Sequence, residues 1–190
     1  QRTRLRHRKM VGSEWLTSIP RSHNFDSKSF SSVNDFLEHI IIKESGGEKL
    51  PPKHLGDVLI NDKTLIDVKS VNVSKKYHMP NLASQKKLLD WLSDKDNTLK
   101  YLFIFYEKID DVIHIRDIEL RDIEEINPDC LIVQAQGLGV MQIKDIKKLS
   151  FVKKIDRESW LSNVLKPKVL SYLNKEENKI KNTKKIYEKI

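Results

Sequence analysis

Asp57, Asp67 and Lys69 place two carboxylates and an ammonium within the fifteen residues GDVLINDKTLIDVKS, a stretch that is otherwise mostly apolar. Carboxylate oxygens hold hard divalent cations such as Mg²⁺, which keep several waters and take further ligands from phosphate. Such an ion acidifies a bound water and offsets charge on a phosphate under attack. A lysine beside it can place the water and balance the phosphate charge. The chemistry these residue types could do together is hydrolysis at phosphorus.

The chain must bring the three groups together, and the local pattern says how. Strict alternation over Thr64–Ser70 sends Leu65, Asp67 and Lys69 to one strand face and Ile66, Val68 and Ser70 to the other. An Asn-Asp turn before this strand makes it the second arm of a hairpin, which sets Asp57 across from Asp67. Three other D/E-x-K triplets occur, at Asp26/Lys28, Asp145/Lys147 and Glu177/Lys179, and none has a partner acid on an adjacent patterned strand. Pro128-Asp129 followed by Asp145 and Lys147 spells a rival arrangement. Two glycines interrupt it, and no apolar crossover helix follows. The plainer reading of Asp67 and Lys69 is a charged pair on a solvent-edge hairpin.

Around the hairpin, Val33, Phe36, Leu37, Ile40 and Ile41 share a helical stripe, with Ser32 or Asn34 as N-cap and Gly46-Gly47 as the stop. Leu82 to Ser93 reads as an amphipathic helix, and YLFIFYE from Tyr101 as a strand covered on both faces. VIHIRDIEL alternates, CLIVQAQGLGVMQI is glycine-interrupted strand material, and the chain from Asp156 reads as helix broken at Pro167. The expected class is α/β, a central mixed sheet flanked by helices. One domain is expected over 1–190: a basic arm over 1–30, a core over 31–106, additional strands over 107–155 and basic helices over 156–190.

This order of helix, hairpin, crossover helix and strand, with Asp57, Asp67 and Lys69 on the hairpin, resembles the PD-(D/E)xK nuclease superfamily, above all the type II restriction endonucleases. The resemblance implies that Asp57 stands for the first acid, with Gly56 where the family name has Pro, and that Asp67 and Lys69 stand for the second acid and the lysine. It implies a glutamate from the preceding helix, for which Glu38 is the candidate and Glu44 stands behind it, and a metal ligand from the Val68 carbonyl. It further implies Mg²⁺ as cofactor and double-stranded DNA as substrate, cut at a palindromic site by a homodimer to leave 5′-phosphate and 3′-hydroxyl ends. A structure-selective repair or junction nuclease would share the core. A basic DNA-binding module would have the hairpin without the chemistry.

A net charge of +8 over 190 residues favours a polyanionic partner, although a lysine-rich composition alone also yields it. Candidates for DNA contact are Ser74, Lys75, Lys76, Tyr77 and His78 with Asn81, and Gln134, Gln136 and Gln142, since glutamine can pair bidentately with adenine. Each also reads as an ordinary polar surface residue. Arg2, Arg4, Arg6 and Arg8 with Lys9 form a basic arm suited to phosphates or a minor groove, or a solvated tail. The single cysteine, Cys130, excludes a disulfide framework and reads as a buried thiol. The six histidines lack metal-binding spacing, no Gly-rich phosphate loop is present, and no apolar run is long enough to span a bilayer. No apolar segment follows the basic Gln1–Lys9, so the cytoplasm is the expected compartment.

Overall fold

The computed structural model describes residues 13–75, 79–134 and 139–188. Arg2, Arg4, Arg6, Arg8, Lys9, Lys76, Tyr77, His78 and Gln136 lie outside these residues. In chain order the elements are β1 (Ser22–Asn24), α1 (Val33–Ser45), β2 (Glu48–Lys49), β3 (Val58–Asn61), β4 (Thr64–Asn72), β5 (Asn81–Ser84), α2 (Gln85–Leu92), β6 (Thr98–Ile109), β7 (Val112–Asp122), β8 (Leu131–Gln134), β9 (Val140–Ile143), α3 (Arg157–Trp160) and α4 (Lys166–Tyr187). They build an α/β structure with a mixed sheet flanked by helices.

The chain divides into two compact units, one made of Gln1–His78 with Asp96–Ile123 and the other of Met79–Lys95 with Glu124–Ile190. The boundaries expected at 31, 107 and 156 do not coincide with these. The first unit holds a six-stranded sheet in the order β1-β7-β6-β4-β3-β2. Among its described strands only β4 and β6 pair in parallel. Parallel neighbours need a crossover, and here the connecting segment, with β5 and α2, belongs to the other unit.

Local chemistry sets the ends of α1. The Ser32 side chain accepts from the Asp35 amide, and Gly46, at φ 65°, takes the left-handed position and donates to the Ile42 carbonyl. Phe36, Leu37, Ile40 and Ile41 form one apolar stripe, which joins a core with Val58, Ile66, Val68, Leu102 and Ile104 from one sheet face. In β6, Tyr101, Leu102, Phe103 and Ile104 are each 0 % exposed, as a strand inside a sheet with both faces covered must be.

The segment expected as a basic arm differs over its described part. Trp15, in a 3₁₀ turn over Glu14–Ser18, and Ile19 enter this same core, and β1 pairs with β7. Its polar composition hides two large apolar anchors.

The second unit has a three-stranded antiparallel sheet, β5-β9-β8. Leu82 and Ala83, expected in a helix, lie in β5. The helix begins only after Ser84, whose side chain accepts from the Lys87 amide. Over so few residues, apolar spacing does not separate a short strand from the first turn of a helix. Pro167 does not break the chain's helical path. A π-helical turn over Leu161–Leu165 runs directly into α4, and Pro167 stands just after that widened turn, where the helical bonding pattern is already interrupted. Arg157 bonds the Glu124 carboxylate, which is 0 % exposed, and its guanidinium also donates to the Leu92 carbonyl at 3.2 Å. Cys130 is buried, its thiol donating to the Lys148 carbonyl at 3.2 Å. No described helix is long and apolar enough to cross a membrane.

Candidate active site

The β3–β4 hairpin is uneven. Pairing runs from Asn61↔Thr64 to Val58↔Ile66 and is carried one residue further by the Asp57 amide, which donates to the Ile66 carbonyl at 2.9 Å. Past that point β4 continues to Asn72 without its antiparallel neighbour. The Asp57 carboxylate fills the place the missing strand would take, accepting from the Val68 amide at 2.7 Å. In an extended strand the N–H and C=O of one residue leave on the same side, so the Val68 carbonyl faces this same open edge.

Gly56 has a packing reason beside this junction. A Cβ there would stand 3.1 Å from the Ile66 carbonyl oxygen and 3.3 Å from the Leu65 Cβ, so glycine allows the chain to press against β4 just before Asp57.

Asp67 is 4 % exposed, and Lys69 reaches back along the same face to bond its Oδ1 at 2.7 Å. Burial pushes the Asp67 carboxyl well above the usual carboxylate range. Lys69 opposes that shift, while Asp57, close enough to hydrogen-bond with Asp67, adds to it. The two acids therefore crowd one another, with the Lys69 ammonium opposing their charge.

Glu38 projects from α1 and is 8 % exposed. Burial first, and the Asp57 charge second, raise its carboxyl to about 7, against the pull of Lys49, whose Nζ lies 3.8 Å away. Asn34 donates to Glu38 and accepts from the Ser70 hydroxyl at 2.9 Å, tying the helix acid to β4. Among the described residues no group of three or more His, Cys, Asp or Glu stands where it could hold one metal ion. The convergent set is the Asp57–Asp67 pair with Lys69, and Glu38 acts on it through charge. Two carboxylates and a carbonyl at one open edge are an all-oxygen donor set, the kind a hard cation takes together with its own waters.

Two participants were missed in the sequence. Tyr101 pairs in register with Asp67 across the parallel β4–β6 ladder. It is 0 % exposed, and its hydroxyl has no hydrogen-bond partner among the described residues. Burial, and then the charges of Asp67 and Asp57, push its phenol well above the ordinary tyrosine value. Lys49, the partner of Glu38, is the second. The only available signal for Tyr101 was the phase of YLFIFYE set against LIDVKS, which a parallel register would have aligned.

The remaining candidates scatter. Ser74 and Lys75 are exposed in the turn after β4, where the Ser74 amide donates to the Asn72 side chain at 2.9 Å. Gln134 is exposed at the end of β8, and Asn81 is exposed in β5. Gln142, expected at a surface, is 7 % exposed. It pairs in register with Asn81, to which its amide donates, and it is enclosed with Met141 and Ile143 on either side of it, so β9 is buried on both faces. The rival acids are occupied otherwise: Asp145 caps a 3₁₀ turn by accepting from the Lys147 amide at 3.0 Å, and Asp129 is an exposed residue of another such turn.

No family model matches the chain, and no curated protein matches it. Among solved structures it is similar to a NlaIV restriction endonuclease, with a TM-score of 0.49 and 16% identity over 79% of this chain and 68% of that one. A likeness of that depth says nothing about chemistry, so the chemistry rests on the residues above.

Proposed function

We propose that this chain is a Mg²⁺-dependent endonuclease of the type II restriction kind, hydrolysing phosphodiesters in double-stranded DNA as a homodimer at a palindromic site. One observation supports the reading above the others. Asp57 and Asp67 sit side by side at an open strand edge with the Lys69 ammonium 2.7 Å from Asp67. The surplus of basic residues suits a polyanionic substrate.

In this reading Asp57, Asp67 and the Val68 carbonyl would hold the cation, which when bound would acidify water and offset phosphate charge. Lys69 moves from its bond to Asp67 toward the attacking water and the phosphate oxygen, supplying a positive charge where negative charge develops. Asp57 keeps its bond to the Val68 amide, which fixes one carboxylate while the other exchanges partners. Glu38, with a carboxyl near 7, can hold or release a proton near neutrality beside the pair.

Incubation with plasmid DNA and Mg²⁺ tests this. Discrete fragments are expected, and Asp67→Ala should abolish cutting while leaving DNA binding in place. Cutting confined to branched DNA would make the protein a junction-resolving nuclease instead. No cleavage with Mg²⁺ or Mn²⁺ would leave only a basic DNA-binding module.

A further inference from the structure

A buried hydroxyl without a partner is uncommon, because leaving such a donor unsatisfied is costly. Tyr101 is such a group, enclosed at 0 % exposure with its ring stacked on Phe103 at 6.2 Å between centroids. Side chains at registered positions of neighbouring strands share a face. Tyr101 has one such neighbour on each side, Asp67 on β4 and Arg121 on β7. A phenol O–H needs an acceptor. The Arg121 guanidinium, 2.8 Å from Glu119, has only donors to offer, whereas the Asp67 carboxylate accepts. Phenylalanine would fill the same space with no orphaned oxygen, yet a tyrosine stands beside the acid pair.

We propose that Tyr101 is a positioning residue for the acid pair, its hydroxyl donating to the Asp67 carboxylate, directly or through one trapped water, when that carboxylate turns to hold a divalent cation. The inference rests on the metal-dependent reading above and adds to it a group outside the Asp-Asp-Lys set. The unpaired donor is then a partner held ready for the loaded site. Its role is to orient an oxygen ligand, as outer hydrogen bonds do at metal sites generally.

Tyr101→Phe, which removes one oxygen and keeps the ring, tests the role. Mn²⁺ binding to the whole protein is measured by titration calorimetry and by loss of the free-ion resonance signal, with melting curves for both forms in EDTA. The expected result is an ion-binding midpoint weakened by about tenfold or more, a lower kcat on plasmid DNA with KM unchanged, and a metal-free melting temperature equal to or above that of the wild type. Asp67→Ala, which removes the accepting oxygens, should make Tyr101→Phe silent in the double variant. A wild type that binds and cuts, with a Tyr101→Phe variant that binds Mn²⁺ equally well, would overturn the positioning role and leave the nuclease reading standing. A Tyr101→Phe melting temperature well below the wild type would also overturn it, since the hydroxyl would then have a structural partner. A wild type that neither binds the ion nor cuts would overturn both.

Discussion

Glu38 offers a test that needs neither DNA nor metal. Its carboxyl moves from an ordinary value of 4.5 to about 7 on folding, through burial and the Asp57 charge. At 1.36 kcal/mol per pH unit, that displacement amounts to about 3 kcal/mol. Between the two values the folded chain binds more protons at this site than the unfolded chain does, so stability falls as pH rises. The contribution is fully present below pH 4.5 and lost as pH passes through about 7. Glu38→Gln removes the titration and keeps the shape. The glutamine oxygen can still accept from Asn34, and the ion pair lost is the loose one to Lys49, itself 60% exposed, which contributes little. Urea unfolding in EDTA at pH 4 and pH 8 should show the variant gaining about 3 kcal/mol on the wild type between the two conditions. In melting temperature that is about 2–4 °C per kcal/mol for a chain of this length. Wild-type and variant profiles that stay parallel to within about 0.5 kcal/mol, the scatter of ordinary surface substitutions, would refute the account of Glu38 as a buried acid crowded by Asp57.

Two further outcomes follow from single contacts. Asp57→Asn keeps an oxygen for the Val68 amide and should melt near the wild type while losing plasmid cleavage, whereas Asp57→Ala orphans that amide and should cost about 1–3 kcal/mol in urea unfolding. Arg157→Met strands the Glu124 carboxylate at 0 % exposure and should destabilise the second unit by about 3–5 kcal/mol, with most of that loss recovered in the Arg157→Met, Glu124→Gln double variant on chemical denaturation.

What could be read from residues alone depended on whether the deciding interaction was local. Ser32 and Gly46 end α1 by contacts within four residues, so both ends were visible. The Asp57–Asp67 apposition follows from a short hairpin and strand phase, and β6 from an unbroken apolar run. Trp15, Ile19 and β1 were hidden because their partners lie far along the chain, in α1 and β7. The burial of Gln142 could not be read because its hydrogen-bond partner, Asn81, lies sixty-one residues away. Tyr101 beside Asp67 depends on the register between two parallel strands, and no turn sets such a register.

The chain passes between its two units three times, after His78, Lys95 and Ile123. Neither unit is a contiguous stretch that a gene fusion could copy whole. Excising 79–95 to isolate the sheet that carries Asp67 would remove β5 and α2 from their own unit and also cut the link between the two parallel strands.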